Sequence, residues 1–133
     1  MRPIIACLLS GSLCLGVSAC ASAGERTRAA QAAATAFEGA LADGDTRLAC
    51  AALAPGTREE LEQDAPCTAA LRSLKLTPAT GRARESMVYG SQARVVYADD
   101  SVFLALFPEG WRITAAGCVP RQGRPFRCEL KGD

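Results

Sequence analysis

Ser101-Val102-Phe103-Leu104-Ala105-Leu106-Phe107-Pro108-Glu109-Gly110-Trp111-Arg112-Ile113 carries the pattern from which the architecture of the second half follows. Residues 102–107 are apolar at odd and even positions alike, the pattern of a central strand covered on both sides or lying on a strongly curved sheet. The Pro-Glu-Gly turn behind it is too short for a crossover, so the strand resuming at Trp111 has to run antiparallel to the first. Outward from this hairpin a period of two persists. It predicts strands at 83–89, 92–98, 101–107, 111–118 and 125–131, with links at Gly90-Ser91, Asp99-Asp100 and Pro108-Glu109-Gly110 and a longer loop before the last strand. Arg84, Arg94 and Arg112 alternate with apolar positions and mark the wet face.

Upstream of Thr77-Pro78 the period is helical. Ala29, Ala33, Phe37, Ala40 and Leu41 recur on one face, and Gly44 is placed to end that helix. Asp45 is expected to cap a short second helix carrying Leu48, Ala52 and Leu53, which Pro55-Gly56 terminates. Thr57-Arg58-Glu59-Glu60 matches a capping box and opens a third. Pro66 suits the first turn of a fourth, with Cys67, Ala70, Leu71 and Leu74 on one apolar face. The expected class is α+β: N-terminal helices packed on a curved antiparallel sheet of about four to five strands. Phe37, Leu48, Leu71, Val95, Phe103 and Trp111 are expected to share one core.

The amino-terminal segment bears on location. A basic Met1-Arg2 start leads into an apolar run over 4–17, too short to span a bilayer but suited to a secretory signal. Val17-Ser18-Ala19-Cys20 then resembles a bacterial lipobox, which implies a diacylglycerol on the Cys20 thiol and removal of the preceding peptide. The expected organisation is a signal at 1–19, a lipidated cysteine with a short tether at 20–28, and a single domain at 29–133. Two acyl chains, at about 0.8 kcal/mol per buried methylene, would anchor the protein to the outer face of the cell membrane. An ordinary secretory signal cut after an Ala-x-Ala-like site, leaving Cys20 as a thiol, is the alternative.

Removal of residues 1–19 from the 133 leaves 114, enough for one domain. Only Arg2 is lost from the 15 basic residues, so 14 face 14 acids, and that balance gives no support to a nucleic-acid partner. Histidine is absent, which excludes Ser-His-Asp and Cys-His catalysis and histidine-based zinc sites within this chain. Cys7 and Cys14 fall in the removed segment. Cys50, Cys67, Cys118 and Cys128 remain, an even number that reads as a disulfide framework in an exported chain. Four cysteines allow three connectivities; the local pairs Cys50 with Cys67 and Cys118 with Cys128 are favoured, each adding about 3 kcal/mol in the chain-entropy model. A four-thiolate zinc site would want close C-x-x-C pairs, and none is present. Strand parity sets Cys118 with Arg112 and Thr114 but Cys128 with Phe126 and Leu130, so a bulge at Gly117 is needed for the second bridge.

The helical first half, the strand meander and Gly110-Trp111-Arg112-Ile113 together resemble the nuclear transport factor 2-like superfamily. Residues 36–45, Ala-Phe-Glu-Gly-Ala-Leu-Ala-Asp-Gly-Asp, with Leu53-Ala54-Pro55 and Gly117-Cys118, resemble small lipoproteins of actinobacteria, and the likeness covers roughly 29–130. It implies a cone in which helices pack into a bent sheet whose mouth sometimes holds a small ligand. Enzymes of that superfamily, such as ketosteroid isomerases and polyketide cyclases, place acids inside the cone. Here Glu85, beside Met87 and Tyr89 in the alternation, is the one strand acid to name for that role.

Other polar groups have plainer accounts. Asp99-Asp100 reads as paired carboxylates or a calcium pair, but aspartate is favoured there by turn geometry. Glu59, Glu60, Glu62 and Asp64 suit a solvated helix face. Arg121, Arg124 and Arg127 concentrate positive charge that would attract anionic headgroups if it faced the membrane. Trp111 and Phe126 suit a core or a pocket wall, and Ser73 with Lys75 lacks a recognised catalytic spacing. The expectation is a non-catalytic binding or accessory module of the cell envelope, without cofactor or metal. It would contact the bilayer through Cys20 and either an envelope protein or a small apolar ligand in the cone. A cyclase- or isomerase-type enzyme and a structural spacer are the competing classes. Intact-mass analysis of membrane-extracted protein should show the chain from residue 20 plus a diacylglycerol, and Cys20→Ser should move the protein to the soluble fraction.

Overall fold

The computed structural model describes residues 22–132; Cys20 and the segment before it lie outside them. Helix α1 runs Ala23–Ala42, starting ahead of Ala29, the first of its expected apolar positions. Its signal is Ser22-Ala-Gly-Glu25, a reciprocal capping box. Ser22 Oγ accepts from the Glu25 amide at 3.2 Å, and Glu25 Oε2 accepts from the Ser22 amide at 2.9 Å. Most of the residues expected to form a tether are therefore helical. Gly44, at φ 70°, turns the chain after α1, and the Asp45 carboxylate caps α2 (Thr46–Ala51) at the Leu48 amide.

The next junction differs from expectation. Pro55 does not terminate a helix but opens α3 (Pro55–Leu61) at its first position, where a missing N–H costs nothing. Thr57 is thus inside α3, and its hydroxyl donates to the Thr114 carbonyl at 3.1 Å instead of capping. Between the two helices Leu53 forms a parallel bridge with Ile113, through Ala54 N–H to Ile113 O at 2.8 Å and Ile113 N–H to Ala52 O at 2.9 Å. Helix α4 (Cys67–Leu74) starts one residue after Pro66 and ends on Lys75, whose φ of 51° is left-handed.

Five strands follow in sequence order: β1 (Glu85–Tyr89), β2 (Gln92–Val96), β3 (Ser101–Phe107), β4 (Gly110–Arg121) and β5 (Arg124–Lys131). They form one antiparallel sheet in the order β1-β2-β3-β4-β5, as the short links require. Helix α1 lies across one face of it and touches β1 to β4. The core between them contains Ala30, Ala34, Phe37, Val95, Val102, Leu104, Ile113 and Leu130.

Two of the six expected core residues lie elsewhere, and Trp111 packs only partly buried against the core rim. Leu48 is 56% exposed, because the six-residue α2 docks through Ala49 and Cys50 and turns its neighbour outward. Phe103 is on the outer face of the sheet. Val102 and Leu104, both fully buried, take the inner positions on either side of it, and with apolar residues at both parities the sequence gives no basis for choosing between faces. Phe37→Ala should lower unfolding free energy by about 3–5 kcal/mol, whereas Leu48→Ala should stay within about 0.5 kcal/mol. Urea titration of the two variants measures both.

Candidate functional site

The four cysteines of the described residues form two disulfides, Cys50–Cys67 and Cys118–Cys128, as the local pairing anticipates. The first ties α2 to the start of α4 across a Cα separation of 6.1 Å, with both cysteines buried. The second joins direct cross-strand partners of β4 and β5. The parity conflict is resolved within β4. Its register against β3 shifts twice between Ile113 and Cys118, a span that contains Gly117 at φ 64°. Disulfides of this kind belong to an oxidising, extracytoplasmic location, and among the described residues no helix is long and apolar enough to cross a membrane.

The carboxylate that shapes this bulge is Asp100. Its Oδ1 accepts from the Cys118 amide at 2.7 Å and its Oδ2 from the Gly117 amide at 3.2 Å. Burial pushes its pKa up, against the opposing pull of the amides of Cys118, Gly117 and Ser101. Asp99 accepts from the amide and hydroxyl of Thr80 at 3.2 and 3.3 Å. The pair is thus divided between two structural ties, one on each side of the turn.

Sequence reasoning looked for buried acids on the strands, and Glu85 is exposed there. The acid that is buried stands on α1. Glu38 is 5% exposed, its Oε2 accepts from the Ala79 amide at 2.7 Å, and its Oε1 has no hydrogen-bond partner among the described residues. Desolvation by burial raises its pKa to about 7, the Ala79 amide opposes this, and the nearby Asp100 and Asp99 carboxylates add to it. Tyr97, buried beside it, shares a 3.3 Å hydrogen bond with Thr35 Oγ1. The available signal was Glu38 next to Phe37 in an alanine-rich helix, where small residues leave the buried stripe ill-defined.

An open cleft of about 600 Å³ runs over the outer face of the sheet to the β2–β3 turn, lined by Arg84, Glu85, Arg94, Asp99, Pro120 and Phe126 among others. Arg94 sits over the Phe126 ring at 5.5 Å from its centroid, and Phe126 meets Phe103 edge-on at 5.2 Å and 76°. Arg94 Nη2 lies 3.6 Å from Met87 Sδ, while its buried Nε lacks a partner among the described residues. Arg94 is therefore half-buried on an aromatic floor, not freely solvated as its alternation with apolar residues implied. Arg112 likewise turns back to donate to the Ala51 carbonyl at the end of α2. Ser73 Oγ donates to the Ala69 carbonyl, a helix-internal bond without nucleophilic character.

No family model, curated protein or solved structure matches the chain.

Because the folded chain keeps a proton on Glu38 up to about pH 7 and the unfolded chain releases it near 4.5, the folded state binds more protons between those values. Unfolding free energy should therefore be highest below pH 4.5 as far as Glu38 is concerned, fall as pH rises to about 7, and level off above. Asp100 adds a slope of the same sign starting from lower pH. Glu38→Gln keeps an acceptor for Ala79 and removes the charge, so it should flatten the fall between pH 5 and 8 and raise the urea midpoint at pH 8.

Proposed function

We propose that this is an extracytoplasmic lipoprotein, anchored through Cys20, that acts without catalysis by binding an envelope protein on the outer face of its sheet. The observation that carries this is a contrast between the two faces. On the inner face Phe37, Val95, Val102 and Leu104 are fully buried and the helices are packed down, and none of the clefts described for this structure takes a lining residue from α1. On the outer face an aromatic and arginine cluster is left uncovered, with Tyr89 65% exposed at its margin. Aromatic residues and arginine are the types enriched where proteins bind one another, and Arg94, braced on Phe126, is pre-positioned to meet a carboxylate or carbonyl of a partner.

The filled interior favours a protein partner over a small apolar ligand held in a cone. The order of elements, helices followed by a five-stranded meander with the helices on one face, is what supports a nuclear transport factor 2-like architecture. An isomerase- or cyclase-type enzyme finds its best group in Glu38, whose pKa suits acid-base work near neutrality. Its carboxyl, however, is buried against Ala79 beneath α1 and lines none of those clefts, which speaks against contact with a substrate. Arg84 is exposed on the wall of the outer cleft, and Glu59, exposed on α3, is not among the residues that line it.

A photo-crosslinking residue at position 84 in the membrane-anchored protein should give one recurrent protein adduct that the same probe at position 59 does not. Arg94→Glu should reduce that adduct by roughly tenfold or more, the consequence of losing about 1.4 kcal/mol or more of binding. Substrate turnover by the isolated domain, abolished by Glu38→Gln at unchanged stability, would overturn the non-catalytic assignment.

A further inference from the structure

Chain length limits how far the domain can stand from its anchor. Cys20 is two residues before Ser22, and at about 3.5 Å per extended residue the helix start is within about 7 Å of the acylated position. That is about the depth of one headgroup layer. Whatever part of the fold surrounds the start of α1 is therefore brought against the bilayer surface.

The structure specifies which part that is. Within its first turn α1 is fastened to the β1–β2 turn by the Arg26 guanidinium, which donates to the Gly90 carbonyl. One turn later Ser86 Oγ donates to Gln31 Oε1 at 2.9 Å, so the approach is held at two points. The next residue of that turn, Ser91, accepts from the Leu106 amide at 2.8 Å, which puts the end of β3 and the Pro108-Glu109 turn at the same end of the sheet. Two of the large apolar side chains most exposed on the described surface are found here, Tyr89 at 65% and Leu106 at 39%. They emerge from opposite faces: Tyr89 is in register with Met87 on the outer face, and Leu106 with Leu104 on the inner. Together they form an apolar rim around this end. The Tyr89 hydroxyl donates to Met87 Sδ at 3.3 Å, so its exposed ring lies along the strand face, and an exposed tyrosine suits the boundary between headgroups and acyl chains.

Charge does not select this end. Glu25 is followed by Arg26 and Arg28 at the start of α1, and Glu109 lines a cleft with Arg58 and Arg112, so charge is mixed and the contact relies on the tether and the apolar rim. The arginine-rich hairpin is at the other end. Arg112 is level with Gln92 through Ala105, and Arg121 lies nine positions further along β4, about 30 Å away at strand rise. Arg121, Arg124 and Arg127 thus point away from the end that holds the anchor.

We infer that the lipid-facing surface of this protein is the end formed by the start of α1 and the Gly90-Ser91 and Pro108-Glu109 turns, with Tyr89 and Leu106 entering the headgroup layer. This rests on Cys20 being the acylated residue. The test uses the acylated chain in nanodiscs of phosphatidylethanolamine and phosphatidylglycerol, a fraction of whose headgroups carry a nitroxide, and reads paramagnetic loss of amide signals. Loss should be several-fold greater at 23–26, 89–91 and 106–110 than at 121–127, and Tyr89→Asp with Leu106→Asp should lessen it at 89–91 and 106–110 without changing the melting temperature. Strongest loss at 121–127 or on α3, or equal loss everywhere, in protein whose intact mass proves acylation of Cys20, overturns the orientation alone. An unmodified Cys20 in membrane-extracted protein overturns the anchor and the orientation together.

Discussion

Phe37 is the one large apolar side chain among the fully buried residues of α1, and the alanines at 30, 34 and 40 allow the helix to lie low enough for it to reach Val95, Val102 and Leu104. Close approach of this kind gains dispersion contacts over a long front but leaves little room to choose what else is buried. Glu38 follows Phe37 and is taken under with it. The fold accommodates the acid by giving one carboxylate oxygen to the Ala79 amide, which in turn fastens the segment leading from α4 into β1. The helix–sheet contact thus sets the position of the linker and the ionisation of the buried acid at once.

A second constraint lies close by, at the β2–β3 turn. Asp100 ends the β2–β3 turn with its carboxylate on the amides of Gly117 and Cys118, so a loop residue on one side of β3 fixes the path of β4 on the other. Gly117 has a left-handed backbone, and a Cβ there would lie 3.1 Å from both Glu129 and Leu76, so side-chain space and dihedral angle both favour glycine. Past this point β4 outruns β3 and pairs with β5 alone, where the Cys118–Cys128 bond holds the two together. The outer cleft, with Phe126 as part of its floor, takes its shape from that divergence.

The strands were legible because turn residues punctuate them and short links leave no topology except a meander. Both cysteine pairs were legible for the related reason that each spans a short loop. What sequence could not resolve was facing. In β3 apolar residues occupy both parities, so Phe103 could be assigned to the wrong side. In α1 alanine supplies no contrast between inside and outside, so the pattern puts Ala29 and Ala33 on the buried face where Ala30 and Ala34 take it, and nothing marks Glu38 as buried. At Pro55 the same residue serves equally to stop a helix or to start one, and only the bridge of Leu53 to Ile113 determines which. The Arg94–Phe126 contact joins β2 to β5, two strands that are not neighbours in the sheet, and no local pattern reports such a pairing.

The two disulfides also determine how the chain tolerates cutting. The exposed acidic stretch around Glu59, Glu62 and Asp64 lies inside the loop closed by Cys50 and Cys67, and the exposed hairpin around Gln122 and Gly123 lies inside the loop closed by Cys118 and Cys128. These are two of the surface segments most open to a protease. A single nick in either leaves the fragments covalently joined, with α4 still bonded to α2 and β5 to β4. Peptide-bond cleavage at these sites is thereby uncoupled from loss of the sheet, a useful property for a domain in an extracytoplasmic location, where damaged chains cannot be resynthesised in place.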